Sequence, residues 1–92
     1  MNIDFNKIQK IYGTSTIIEF QENKEELIEN IKYLNKLGFD NIEDIIELFP
    51  YMFLIERENF KDKVNELIGK LGIDYLEKLN EDTSLWENVN EE

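Results

Sequence analysis

Apolar residues along this chain recur at steps of three and four, the spacing that puts them on one face of an α-helix. Phe5, Ile8, Ile11 and Tyr12 follow it first, and Gly13 then stops the run. From 23 to 37 the stripe is Leu27, Ile31, Leu34 and Leu37, with Lys24, Glu25, Glu29, Lys32 and Lys36 between as the solvent side. Ile42, Ile45, Ile46 and Phe49 form a third stripe, cut at Pro50 because a residue before proline avoids helical geometry. After the short apolar run Tyr51 to Ile55, the segment 58–71 repeats the pattern with Phe60, Val64, Leu67, Ile68 and Leu71. Tyr75, Leu76 and Leu79 mark a further short helix, and Leu85, Trp86 and Val89 a last turn opened by Asp82 or Thr83. Residues 90–92 are expected to fray. Only Thr14 to Phe20 reads ambiguously. Its β-branched residues suit a strand, but nothing else in the chain reads as a pairing partner, so a turn followed by a short helical or irregular piece is expected.

The punctuation is repeated. Leu37-Gly38-Phe39-Asp40 returns 34 residues later as Leu71-Gly72-Ile73-Asp74. In each, glycine suits the left-handed position that ends a helix, and the next apolar residue packs back on the helix just ended, Phe39 on Leu34 and Ile73 on Ile68. Asp40 or Asn41, and then Asp74, are the expected caps of the helices that follow. Laid on itself, the chain pairs Ile8 and Ile11 with Ile42 and Ile45 and with Leu76 and Leu79. Ile17-Ile18 pairs with Tyr51-Met52 and with Leu85-Trp86. Leu27, Ile31 and Leu34 pair with Phe60, Val64 and Leu67 at an offset of 33. The expected fold is all-α: one domain over 1–92, a small right- or left-handed stack of about two and a half helical-hairpin repeats of period 33–34. Five or six short helices make it up, and each unit buries its apolar face against its neighbours. Gly69, inside a helix, is read as a point of close backbone approach or else as a tolerated surface glycine.

Leu37-Gly38-Phe39, Ile42, Ile45-Ile46, Phe49-Pro50, Phe53-Leu54, Phe60, Val64 and Leu67 together resemble the mitochondrial transcription termination factor repeat. That unit has two α-helices and a short 3-10 helix, with a Leu-Gly-Phe start and a proline ahead of a leucine-rich turn. The resemblance covers residues 37–72; in the flanking units the proline position holds Thr16 or Ser84. It implies stacked helical repeats and, in the family, nucleic-acid binding in a basic concave groove. This chain is short and acidic, so the architecture is expected to carry over and the nucleic-acid activity is not.

Charge changes the picture of function more than of fold. Twenty-one acids against ten bases give −11 at pH 7, a field that repels phosphate backbones and anionic membranes. The imbalance sits in two blocks. Residues 39–56 hold five acids and no base, and 73–92 hold seven acids and one base. The first helices of units two and three carry Glu43, Asp44 and Glu47, and Glu77, Glu81 and Asp82. Side by side they form an acidic ridge, read either as a solubilising surface or as a dock for a basic protein partner, with mimicry of nucleic acid as a special case. Tyr51 and Trp86 are candidates for an apolar contact with a partner or a second copy, so monomer and homodimer both stay open. A nucleic-acid-associated repeat is the alternative reading, with Arg57, Lys61, Lys63 and Lys70 as its contacts.

Candidate chemistry is sparse. With neither Cys nor His, thiolate and imidazole sites are excluded, and no motif pairs Ser or Thr with a base. Carboxylates one turn apart, such as Glu43 with Glu47, read as solvated charges. Asn80-x-Asp82-x-Ser84 resembles the start of a calcium loop but lacks its sixth-position glycine and closing glutamate. The expectation is a non-catalytic protein with no cofactor and no metal. No apolar run reaches the roughly 20 residues of a membrane span and no signal sequence is visible, so a cytoplasmic location is expected.

Overall fold

A computed structural model describes residues 3–90, and within them every regular element is helical. The order is α1 (Phe5–Tyr12), α2 (Thr14–Glu22), α3 (Lys24–Lys36), α4 (Ile42–Leu48), a first 3-10 helix (Pro50–Leu54), α5 (Arg57–Leu71), α6 (Tyr75–Glu81), a second 3-10 helix (Thr83–Trp86) and α7 (Glu87–Asn90). Read in threes, these are a short helix, a middle element and a further helix, repeated; the middle element is a 3-10 turn in the second and third sets and the α-helix α2 in the first. The described helices outnumber the five or six expected, because 14–22 forms a regular α-helix and the last turn divides into a 3-10 helix and α7. Asn90 closes α7; the rest of the stretch expected to fray lies outside the described residues.

The α2 segment shows tertiary burial overriding strand propensity. Thr16 and Phe20 face the core, and the Thr16 hydroxyl meets the Tyr51 hydroxyl at 2.6 Å. Gly13, at φ 97°, both ends α1 by donating its N–H to the Gln9 carbonyl and starts α2. Successive units meet through contacts about one period apart. Tyr12 donates its hydroxyl to the Glu47 carbonyl at 2.7 Å, Glu26 pairs with Arg57, and Tyr75 donates to the Leu37 carbonyl at 2.8 Å. Helix α5 packs between α3 and α7. One core cluster runs through all three units, from Ile8 through Leu34, Ile45, Phe53 and Val64 to Leu79, Trp86 and Val89.

The two Leu-Gly corners differ. At the first, Gly38 has φ 103°, the Phe39 N–H reaches back to the Leu34 carbonyl at 3.2 Å, and Phe39 is buried. That is the expected helix stop. At the second, the Gly72 N–H bonds the Ile68 carbonyl, but a tight turn follows at once, closed by the Tyr75 N–H on the Gly72 carbonyl at 3.2 Å, and Ile73 is 95% exposed rather than packed on Ile68. Phe39 is held by what covers it: Tyr75 at 6.0 Å and Trp86 at 5.2 Å between ring centres, both from the next unit. Nothing comparable covers Ile73. Asn41 and Asp74 occupy the cap positions of α4 and α6, yet neither side chain closes a capping hydrogen bond.

At Gly69 the structure favours the tolerated surface glycine over close backbone approach. A β-carbon there would meet nothing within 4 Å, so no neighbouring backbone requires the glycine. Gly69→Ala is therefore expected to raise stability by about 0.5–1 kcal/mol, the intrinsic helix preference alone. A denaturant titration giving an unchanged or lower midpoint would contradict the open surface around it.

Candidate functional site

The acids of α4 divide by partner. Glu47 receives Lys7 of α1 at 3.0 Å, and this contact raises the lysine's pKa. Glu43 is half-buried and Asp44 exposed. Asp44 and Leu48 stand one turn apart on the same face of α4, and Leu48 is itself 50% exposed. On α6, Glu77 and Glu81 are exposed; Asp82 is spent on the second 3-10 helix, where it accepts from the Ser84 N–H at 3.1 Å. No ion pair among the described residues reaches Glu43, Asp44, Glu77 or Glu81. The start of α6 docks on the corner at 37–39, through Tyr75 and through Leu76, which closes over Gly38.

The two apolar candidates part company. Trp86 is 1% exposed and belongs to the core, wedged against Phe39. It offers no surface contact. Tyr51 is 45% exposed; Thr16 holds its hydroxyl and leaves much of the ring open beside Leu48 in sequence.

The basic residues named for nucleic-acid contact are largely engaged. Arg57 is clamped by Glu26, which accepts from the guanidinium at 2.9 Å and from the Arg57 backbone N–H at 2.7 Å, so one carboxylate both pairs the side chain and caps α5. Lys70 pairs with Glu66 on its own helix, and Lys61 lies over the Tyr33 ring at 5.6 Å. Lys63 is also engaged.

Hydrogen bonding by Arg57 holds the Glu26 carboxyl below its ordinary value, against an opposing push from burial. A depressed folded-state pKa adds stability above the unfolded-state value and loses it as pH falls through the folded one. Wild type should therefore lose its advantage over Glu26→Gln as pH drops through and below the ordinary glutamate range. Parallel chemical-denaturation curves at pH 7 and pH 3 check this; a constant difference would contradict the clamp.

Sequence patterning missed two residues that position these surfaces. Asn30 sits in the buried stripe of α3, 1% exposed, and its Nδ2 donates to the Phe53 and Ile55 carbonyls, both at 2.8 Å. It fixes the end of the first 3-10 helix, the element that presents Tyr51. Glu26 fixes the start of α5. Each acts across units, and no local pattern marks either.

The N-terminal unit also carries an apolar groove of about 370 Å³, lined by Ile3, Phe5, Ile17, Phe20, Leu27 and Ile28 among others, with Gln21 and Lys24 at its polar edge. No group of three or more potential metal-ligating side chains gathers among the described residues, and no described helix is long and apolar enough to cross a membrane. The chain matches no protein-family model, no curated protein and no solved structure.

Proposed function

We propose that this protein is a small non-catalytic interaction module that docks a basic protein surface through Glu43, Asp44, Glu77 and Glu81, with Leu48 and Tyr51 as apolar anchors. The observation that carries the reading is the unpaired state of those four acids, while the cations of α5 are engaged elsewhere. Asp44 stands one turn from the half-exposed Leu48, and unpaired charge combined with half-exposed apolar side chains suits a steered interface: the charges guide encounter and the apolar anchors hold. A chain free of cysteine suits the reducing cytoplasm as the setting.

The quadruple variant Glu43→Gln, Asp44→Asn, Glu77→Gln, Glu81→Gln keeps size and helix propensity nearly constant. Affinity capture from the native host, followed by mass spectrometry, is expected to return a partner rich in Lys and Arg with wild type and to lose it with the variant. Equal recovery by both proteins would remove the acidic face from the account.

A second reading follows from the helix, 3-10 helix, helix order of residues 42–71, with Pro50 opening the 3-10 helix. That order suits a repeat of the transcription-termination type acting on nucleic acid. Lys32, Lys36 and Lys61 beside Tyr33 would be its surface. Filter binding to DNA and RNA at low salt separates the two; retention there would favour this one.

A further inference from the structure

We propose that copies of this chain associate head to tail, the exposed Ile73 of one copy seating against Ile18 of the next, so that the repeat stack continues across molecules.

The internal junction shows what such a contact requires. Unit two begins at the Leu37-Gly38-Phe39 corner, and unit three, the next along, closes it: Tyr75 bonds the Leu37 carbonyl, Leu76 covers Gly38, and Trp86 packs on Phe39. Unit three begins at an equivalent corner, Leu71-Gly72-Ile73, and no further unit among the described residues closes it: Ile73 is 95% exposed and the space beside Gly72 is open. The residue that covers the first corner through Phe39 is Trp86, 1% exposed; its counterpart in unit two, Met52, is wholly buried. In unit one the counterpart is Ile18, and it is 47% exposed. A second pair of counterparts behaves alike. Ile45 and Leu79 are buried at 0% and 1%, whereas Ile11 of unit one is 59% exposed.

The stack therefore has two unlike open ends. One presents Ile73, the counterpart of the Phe39 that receives a cover, and the other presents Ile18, the counterpart of the Trp86 that provides it, with Ile11 exposed beside it on unit one. Ends that are unlike and complementary make a heterologous contact, not a two-fold one. Charge points the same way. Residues 1–38 hold six acids and five bases, while 73–92 hold seven acids and one base. Tail-to-tail pairing opposes two acidic blocks, and head-to-tail pairing sets one against a nearly neutral block. A second copy is thus the occupant that matches in shape class and in charge.

The test mixes two single variants, Ile18→Asp and Ile73→Asp. Both side chains are exposed, so folding is expected to survive, and circular dichroism verifies it. Wild type is expected to show concentration-dependent association in sedimentation equilibrium, strengthened by salt because the copies share a negative charge. Each variant alone retains one competent end and should stay monomeric, with association weakened by about tenfold or more. Mixed, the two should form a dimer that grows no further, since each supplies the end the other lacks. As a second readout, Ile18→Cys and Ile73→Cys variants introduce the only thiols; oxidised together, they should give the mixed disulfide as the main product. A wild type that remains monomeric to about 1 mM, a range that covers weak millimolar contacts, overturns the proposal. So does association abolished by only one of the two aspartates, or a variant mixture that stays monomeric. Docking of a basic partner weakens with salt and this association strengthens with it, so either can fail without the other.

Discussion

Replacing Trp86 with alanine is expected to lower the unfolding free energy by about 3–5 kcal/mol, the range for truncating a large buried aromatic. A domain of this size has only about 5–10 kcal/mol in total, so the variant should sit close to its unfolding threshold at room temperature. The cause is position as much as size. Trp86 is 1% exposed, its ring lies 5.2 Å from that of Phe39, and through Phe39 it reaches Tyr75. These three aromatics join the third unit to the second. Trp86→Phe is expected to cost less, about 1–2 kcal/mol, because it keeps a ring against Phe39 and removes an indole N–H that is buried without an acceptor. Denaturant titrations followed by circular dichroism give both values. A loss below about 1 kcal/mol for the alanine variant, the size of a typical surface or mild substitution, would mean that the third unit is not packed as described.

Asn30→Leu should have the next largest effect, a loss of about 2–4 kcal/mol, although it makes the residue more apolar with the same number of side-chain heavy atoms; the bulkier leucine adds to the loss. The side chain is buried and its amide donates to two carbonyls at the end of the first 3-10 helix. Leucine leaves both carbonyls without that donor. Asn30→Asp distinguishes lost hydrogen bonding from altered shape. An ionised carboxylate would face the same two oxygens, so its folded-state pKa should rise above the unfolded value. Its penalty should then grow as pH rises through the raised folded-state value and shrink as pH falls into the ordinary aspartate range, where the protonated carboxyl donates to one of the two carbonyls. Denaturation midpoints at pH 7 and pH 4 report this. A variant equally unstable at both would shift the explanation from hydrogen bonding to packing.

What was legible in the sequence was local or periodic. Gly13 and Gly38 mark helix ends because positive φ is costly for any other residue. Pro50 stops α4, and the stripes Leu27 to Leu34 and Phe60 to Leu67 give α3 and α5 with their buried faces. What stayed hidden depends on a partner one unit away. Thr16 is helical because Tyr51 and the core receive it. Asn30 reads as a solvent residue until the carbonyls of the 3-10 helix are brought over it, and Glu26 reads likewise until Arg57 arrives. Ile73 shares its local sequence with Phe39 but not its environment, since Tyr75 and Trp86 of unit three cover Phe39 and no described residue covers Ile73 in the same way. The acids of α4 and α6 were legible as a charge block. Glu47 and Asp82 leave that block through an ion pair and a cap, which the sequence alone does not mark.

The most direct measurement of the proposed docking face is the salt dependence of its affinity. A Lys- and Arg-rich amphipathic helical peptide serves as probe, titrated against wild type and the quadruple variant Glu43→Gln, Asp44→Asn, Glu77→Gln, Glu81→Gln between about 50 and 200 mM salt, where screening of surface charge changes steeply. Wild type should bind about tenfold more tightly than the variant at the lower salt, about 1.4 kcal/mol, and the gap should narrow as salt rises. Equal affinities with equal salt slopes would contradict the acidic docking face.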